Sequence, residues 1–313
     1  MPRCTMGPVV LAGSGNPELA AAIAQALGVS VGSATVGRFP DDELQIELHE
    51  DVRARDVCLA QSLSPPADRT LLELIFLADA ARRSGARSVV AAVPYVAYAR
   101  QDKRAEGMPL GARVVAELLQ AAGIDRLVAL DLHSAELGAG LRIPLDHLSA
   151  VPLLADELRQ DCGFTRVVVS PDAGGVARAE AYARRLQLPV AVVEKTRISG
   201  SEVSARAVAG DVRGRSPILV DDIISTGATI EAALRALRTA GCAEPATVAA
   251  THALLVGGAL ERLARLPIQR LVTTDSLPPP AGSAFPITRV PVAGLIAGAI
   301  TRAIGRSTAP PSP

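Results

Sequence analysis

Short apolar runs alternate with longer stretches of helical period along almost the whole chain. Residues 9–11, 44–48, 57–60, 88–93 and 127–130 read as strands, several too continuously apolar to have a wet face. Between them, Asn16 and Pro17 open a helix over 18–27 that closes before Gly28: Asn caps and Pro takes the first helical position. Residues 68–83 put Leu71, Leu72, Leu74, Ile75 and Ala78 on a helical face, and 109–122 follow as another helix. The second half repeats the alternation. It has helices over 148–159, 174–186, 226–239, 258–264 and about 292–304, with strands over 166–169, 190–193, 217–220, 247–252 and 271–273 and an extended excursion at 203–208.

Strands alternating with helices specify an α/β fold with mostly parallel sheets flanked by helices, and the chain is long enough for two such sets. The expected division is an N-terminal domain of residues 1–147, a C-terminal domain of 148–306 and a disordered tail of 307–313. The last helix is free to pack back on the N-terminal domain.

Composition narrows the class. The 313 residues carry 32 basic and 32 acidic side chains, so the formal net charge is zero, which excludes a strongly basic nucleic-acid coat. Cys4, Cys58, Cys162 and Cys242 are widely separated and form no CxxC pair, as in a reducing compartment without a structural zinc site. No leader pattern or membrane-length apolar run is evident, so the cytoplasm is the expected location, with no membrane and no nucleic acid as partner. Of the 32 basic residues only Lys103 and Lys195 are lysine.

The segment 218–230 carries the sharpest chemistry. An apolar strand delivers Asp221 and Asp222 to the carboxyl end of a sheet, where open α/β folds bind ligands. Ser225, Thr226, Gly227, Ala228 and Thr229 then make a small-residue turn at a helix N-terminus, whose free N–H groups suit a phosphate. The acids suit sugar hydroxyls or a magnesium ion. No GK[ST] follows, so this is no triphosphate loop, and Gly13-Ser14-Gly15 lacks the third glycine of a dinucleotide fingerprint.

This segment resembles the phosphoribosyl-pyrophosphate motif of type I phosphoribosyltransferases. The chain from about Phe39 to Thr274 resembles the ribose-phosphate pyrophosphokinase (PRPP synthetase) family within that superfamily. The resemblance rests on residues 38–43, 93–104, 131–133, 170–175 and 194–197, in that order. It implies two similar phosphoribosyltransferase-like domains. It also implies transfer of the diphosphoryl group of ATP to the C1 hydroxyl of ribose 5-phosphate, with Mg²⁺, in a homo-oligomer: a dimer or larger, hexamers being common in the family, with ATP near a subunit interface.

By the same resemblance, Phe39, Asp41 and Glu43 reach the adenosine of ATP from a neighbouring protomer, and Arg100, Gln101, Asp102, Lys103 and Arg104 lie on the nucleotide. His133 and Asp172 help hold the magnesium of Mg-ATP. Asp172, Ala173, Gly174 and Gly175 cradle the pyrophosphate. Lys195 and Arg197 are the catalytic cations, on a short excursion after a strand. Asp221 and Asp222 hold the ribose hydroxyls, and Ser225 to Thr229 take the 5-phosphate.

The chain departs from the family pattern at Asp42, where the family has glycine, and at Gly140 and Leu141, where paired phenylalanines are usual. The short 103–110 loop and Ser225 look like the archaeal-type branch. A phosphoribosyltransferase that consumes PRPP would explain Asp221–Thr229 but not the ATP-side motifs. A silent scaffolding paralogue would have lost Lys195, Arg197, His133 or Asp172, all of which are present.

Overall fold

The structure is a computed structural model that describes residues 7–102, 106–161, 165–197, 203–280 and 285–307. Lys103, Arg104 and residues 308–313 of the expected tail lie outside the described residues. The chain forms two compact units. The first runs to Leu148 and also takes Ser276–Pro278 and the chain from Pro291 on; the second comprises Ser149–Asp275 and Pro279–Val290.

The first unit contains β1 (Val9–Ala12), α1 (Pro17–Ala26), β2 (Ala34–Arg38), β3 (Leu44–Leu48), β4 (Asp56–Ala60), α2 (Ala67–Arg83), β5 (Ser88–Val93), α3 (Gly111–Ala121), β6 (Arg126–Leu130), α4 (Glu136–Gly140) and β7 (Leu145–Leu148). Its sheet is parallel throughout, in the order β1-β4-β5-β6-β7. Every residue of β4 and β5 is buried, as strands covered on both faces require. Asn16 caps α1 as expected, its Oδ1 accepting from the Leu19 N–H at 3.2 Å.

The second unit contains α5 (Val151–Leu158), β8 (Arg166–Ser170), α6 (Val176–Leu186), β9 (Val190–Arg197), β10 (Val203–Ala209), β11 (Ser216–Ile224), α7 (Ala228–Thr239), β12 (Ala246–Ala253), α8 (Ala259–Ala264), β13 (Ile268–Thr274) and β14 (Ile287–Val290). The strand order is β10-β9-β8-β11-β12-β13-β14, parallel except for the antiparallel β9–β10 pair. Its core gathers Val167, Val169, Leu219, Leu234, Leu237, Val248 and Leu271. The closing helix α9 (Ala293–Ser307) belongs to the first unit, against α1, β5 and β6.

The two sheets differ in one respect that positions the site. In the second unit the chain leaves β8 to one side for β9 and later returns to its other side as β11. That reversal opens a crevice at the carboxyl ends of β8 and β11. In the first unit the order β1-β4-β5-β6-β7 advances in one direction, without such a reversal among the described strands. The Gly13-Ser14-Gly15 turn after β1 is also filled. Ser14 Oγ donates to Glu73, Gln61 Nε2 donates to Glu73 at 2.9 Å, and Gly15 N–H donates to Gln61 Oε1 at 2.8 Å. A Cβ on Gly15 would lie 2.0 Å from the Ser62 carbonyl oxygen, so the turn is packed against protein.

Several elements depart from expectation. The strand expected over 44–48 is present as β3, whereas its hairpin partner β2, together with β7, β14 and the short α4, lacks a strong periodic signal, since β2, β7 and β14 are short and mostly half-exposed. The helix expected over 148–159 begins at Val151, after β7 and with Pro152 in its first turn.

Candidate active site

The site begins with an extension of β11. The expected strand stops at Val220, but pairing with β12 carries it on to Ile224, with Asp221 opposite Ala250 and Ile223 opposite His252. The two acids therefore lie within the strand rather than after it. The Asp222 side chain is 5% exposed and that of Asp221 18%, so neither is a solvated surface acid.

Arg178, from the first turn of α6, meets both. Its Nη1 lies 3.5 Å from Asp221 Oδ1 and 3.4 Å from Asp222 Oδ1. Asp221 Oδ1 also accepts from the Asp222 N–H at 2.9 Å. Burial, followed by the neighbouring Asp222, pushes the Asp221 carboxyl up to about 8, against the pull of Arg178. A buried and a half-buried acid, adjacent and bridged by one cation, suit neutral donors such as sugar hydroxyls. Arg178 has no local signature in the sequence, being one arginine among thirty on an amphipathic helix.

Asp172 follows β8 at the same edge of the sheet. Its Oδ1 accepts from the N–H groups of Gly174 and Gly175 at 3.0 and 3.2 Å, folding Ala173–Gly175 into a tight turn that leads into α6. That turn packs against β11 and β9.

The small-residue loop follows β11. Gly227 takes φ of +74°, a conformation that favours glycine, and its carbonyl accepts the Glu231 N–H at 3.0 Å, so α7 starts there. The amide groups of Ala228, Thr229 and Ile230 precede the first intrahelical bond, and Ala228 and Thr229 are exposed. The loop is braced from α8: Arg262 donates to the Thr226 carbonyl oxygen and pairs with Glu231 at 3.2 Å, while the Val256 N–H donates to the Ser225 carbonyl oxygen at 3.0 Å. This brace was not foreseen from the sequence.

Lys195 and Arg197, expected on an excursion beyond the strand, instead lie within β9. Lys195 pairs in register with Arg206 and Arg197 with Val203 of β10. The antiparallel partner β10 is what lengthens the strand.

In the first unit, Phe39, Asp41 and Glu43 share the turn of the β2–β3 hairpin. The Phe39 N–H donates to the Glu43 carbonyl oxygen at 2.8 Å, Asp41 Oδ1 accepts from the Glu43 N–H at 3.2 Å, and the Phe39 ring is 47% exposed. Asp42 has φ of +68°, a conformation that favours glycine, the residue expected there by resemblance; aspartate is among the side chains that tolerate it. Its carboxylate pairs with Arg69 at 3.1 Å and Arg38 at 3.5 Å, so the extra acid is matched by two cations.

Arg100, Gln101 and Asp102 lie in the loop after β5, which turns at Tyr98 with φ of +63°. Gln101 closes against the start of α3, its carbonyl accepting the Ala112 N–H at 3.3 Å. His133 is exposed in the loop after β6, which turns at Asp131 with φ of +36°. Asp42, Tyr98 and Asp131 are three of the six non-glycine residues with positive φ among the described residues, and each stands in a segment expected to meet ATP.

No group of three or more His, Cys, Asp or Glu able to enclose an ion lies among the described residues. That donor set still fits Mg²⁺, which commonly takes one or two carboxylates and completes its shell with substrate phosphates and water. Asp172, partly exposed and oriented by two glycine amides, fits as one oxygen ligand. His133, a nitrogen donor in the other unit, fits that preference less well. No helix among the described residues is long and apolar enough to cross a membrane.

Residues 8–123 match the N-terminal domain of ribose phosphate pyrophosphokinase, and residues 148–262 match the phosphoribosyl transferase domain. The ribose-phosphate pyrophosphokinase of Agrobacterium fabrum is 44% identical over 297 residues, 94% of this chain and 96% of its own. That of Bacillus caldolyticus is 41% identical over 289 residues, 92% of this chain and 91% of its own. The crystal structure of phosphoribosylpyrophosphate synthetase from Mycobacterium smegmatis aligns with a TM-score of 0.89 at 36% identity, covering 96% of this chain and all of that one. These relatives are bacterial and lend no support to the archaeal-type reading of the 103–110 loop and Ser225.

Proposed function

The chain belongs to the ribose-phosphate pyrophosphokinase family and makes PRPP from ribose 5-phosphate and ATP; from that premise we propose how its residues divide the work. The observation that carries the division is the shared carboxyl edge of β8 and β11, which gathers a buried and a half-buried acid, a glycine turn and an open helix start.

Asp221 and Asp222 accept hydrogen bonds from the ribose hydroxyls, and the amides of Ala228 and Thr229, with the Ser225, Thr226 and Thr229 hydroxyls, take the 5-phosphate. The sugar is thereby fixed at both ends, leaving C1 at the reacting position. The Ala173–Gly175 turn receives the diphosphoryl group. The C1 oxygen attacks the β-phosphorus of ATP in line, its hydroxyl proton is released, and AMP leaves. Lys195 and Arg197 stabilise the charge that builds on the phosphoryl oxygens, Lys195 as a compact charge and Arg197 as a fork.

The family uses Mg²⁺. Asp172 and His133 would hold it, and it would supply charge neutralisation on the diphosphoryl oxygens. On the ATP side, Phe39, Asp41 and Glu43 meet the adenosine of a nucleotide bound by a second copy of the chain. Arg100, Gln101, Asp102, Lys103 and Arg104 contact the nucleotide itself. The active form is accordingly a homo-oligomer, a dimer or larger, and the domain division near residue 148 separates the ATP-side motifs from the ribose-phosphate loop. A cytoplasmic location agrees with soluble substrates.

Direct binding measurements test the division. Asp221→Asn is expected to weaken ribose 5-phosphate binding by roughly tenfold or more and leave ATP binding intact, and Phe39→Ala to weaken ATP binding and leave ribose 5-phosphate binding intact. Loss of both ligands in either variant would contradict it.

A further inference from the structure

We propose that Arg178 is a positioning residue for the ribose moiety, acting through Asp221 and Asp222. The inference rests on the assignment of those two acids to the ribose hydroxyls.

The argument is geometric. The two acids are consecutive on β11, and the side chain of the second is 5% exposed. Consecutive strand residues send their side chains to opposite faces, so the carboxylates have no reason to converge unless something draws them together. One nitrogen of Arg178 lies within 3.5 Å of an oxygen of each. The guanidinium is itself only 21% exposed, so the bridge is not a solvated surface pair. It enters from α6, three residues beyond Gly175, in the turn that Asp172 holds through the Gly174 and Gly175 amides. Arg178 thus draws both carboxylates toward one point and supplies the charge that two neighbouring buried acids need. Asp221 Oδ1 accepts from the Asp222 amide at 2.9 Å and from Arg178 at 3.5 Å, so the bridge also fixes the orientation of that carboxyl.

The test is a double-mutant cycle with Arg178→Gln, Arg178→Lys, Asp221→Asn and the Arg178→Gln/Asp221→Asn pair, read by steady-state kinetics, with thermal melting of each variant as the check on folding. Arg178→Gln is expected to raise KM for ribose 5-phosphate by roughly tenfold while KM for ATP moves by less than about twofold. Arg178→Lys should recover most of that loss, since a cation is restored without the fork. On the Asp221→Asn background, Arg178→Gln should add little, because its effect runs through the acids. Additive effects, an equal rise in KM for ATP, or no rescue by lysine would each overturn the role of Arg178. A normal KM for ribose 5-phosphate in Asp221→Asn alone would instead overturn the assignment of the acids, and the role of Arg178 with it.

Discussion

The backbone N–H of Leu132 donates to Nε2 of His147 at 2.9 Å. The ring belongs to β7, beside β6, and accepts a hydrogen bond from the loop that presents His133. The loop is also tied by the Asp131 N–H, which donates to the Leu148 carbonyl oxygen at 2.9 Å, and it turns at a positive φ. An edge strand therefore holds a strained loop in place, through the ring of His147 and the Leu148 carbonyl.

His147→Ala should loosen that loop without touching substrate. The apparent Mg²⁺ requirement is expected to rise by about tenfold, with kcat at saturating metal reduced far less. A magnesium titration of the initial rate checks this. An unchanged Mg²⁺ requirement would separate His147 from the loop proposed to bear the metal.

The hairpin offers a stability test. Asp42 stands at φ of +68° and is 62% exposed, so its pairs with Arg38 and Arg69 contribute at most about 1 kcal/mol. Asp42→Gly removes the pairs and relieves the backbone, and is expected to fall within about 0.5 kcal/mol of the native chain. Asp42→Ala removes the pairs and keeps the strain, costing about 1–2 kcal/mol. Denaturant unfolding of the two variants decides it: alanine as stable as glycine would contradict the account.

Asp221 links stability to pH. Its carboxyl is pushed up to about 8 from an ordinary 3.8, so between those values the folded protein holds a proton that the unfolded chain has released. The free energy of unfolding therefore falls as pH rises across that window. Asp221→Asn cannot titrate and loses that dependence. Its melting temperature, relative to the native chain without ligands, should be nearly level at pH 5 and increasingly higher toward pH 8. Parallel melting curves across that range would contradict the burial effect.

The parts of this site differ in how legible they are. The α1 cap is written locally in Asn16 and Pro17, and the apolar run before Asp221 marks a strand reaching a sheet edge. Gly227 at the start of α7 is equally local. By contrast, β11 continues through the acids because Asp221 and Ile223 pair with Ala250 and His252, some thirty residues away, and β9 continues to Arg197 because β10 folds back on it. Arg178, Arg262 and His147 act by contacts across the fold and leave no spacing that marks them. Motif reading finds residues that meet ligands; residues that hold those residues become visible only once the strands are ordered.

The most direct test is a ³¹P spectrum of the purified protein with ATP, ribose 5-phosphate and Mg²⁺. AMP and the C1 diphosphate of PRPP should appear in equal amounts, only when ribose 5-phosphate is present, and both should vanish in Lys195→Ala. Accumulation of ADP with a sugar bisphosphate bearing a single phosphate on C1, or AMP released without ribose 5-phosphate, would contradict diphosphoryl transfer at this site.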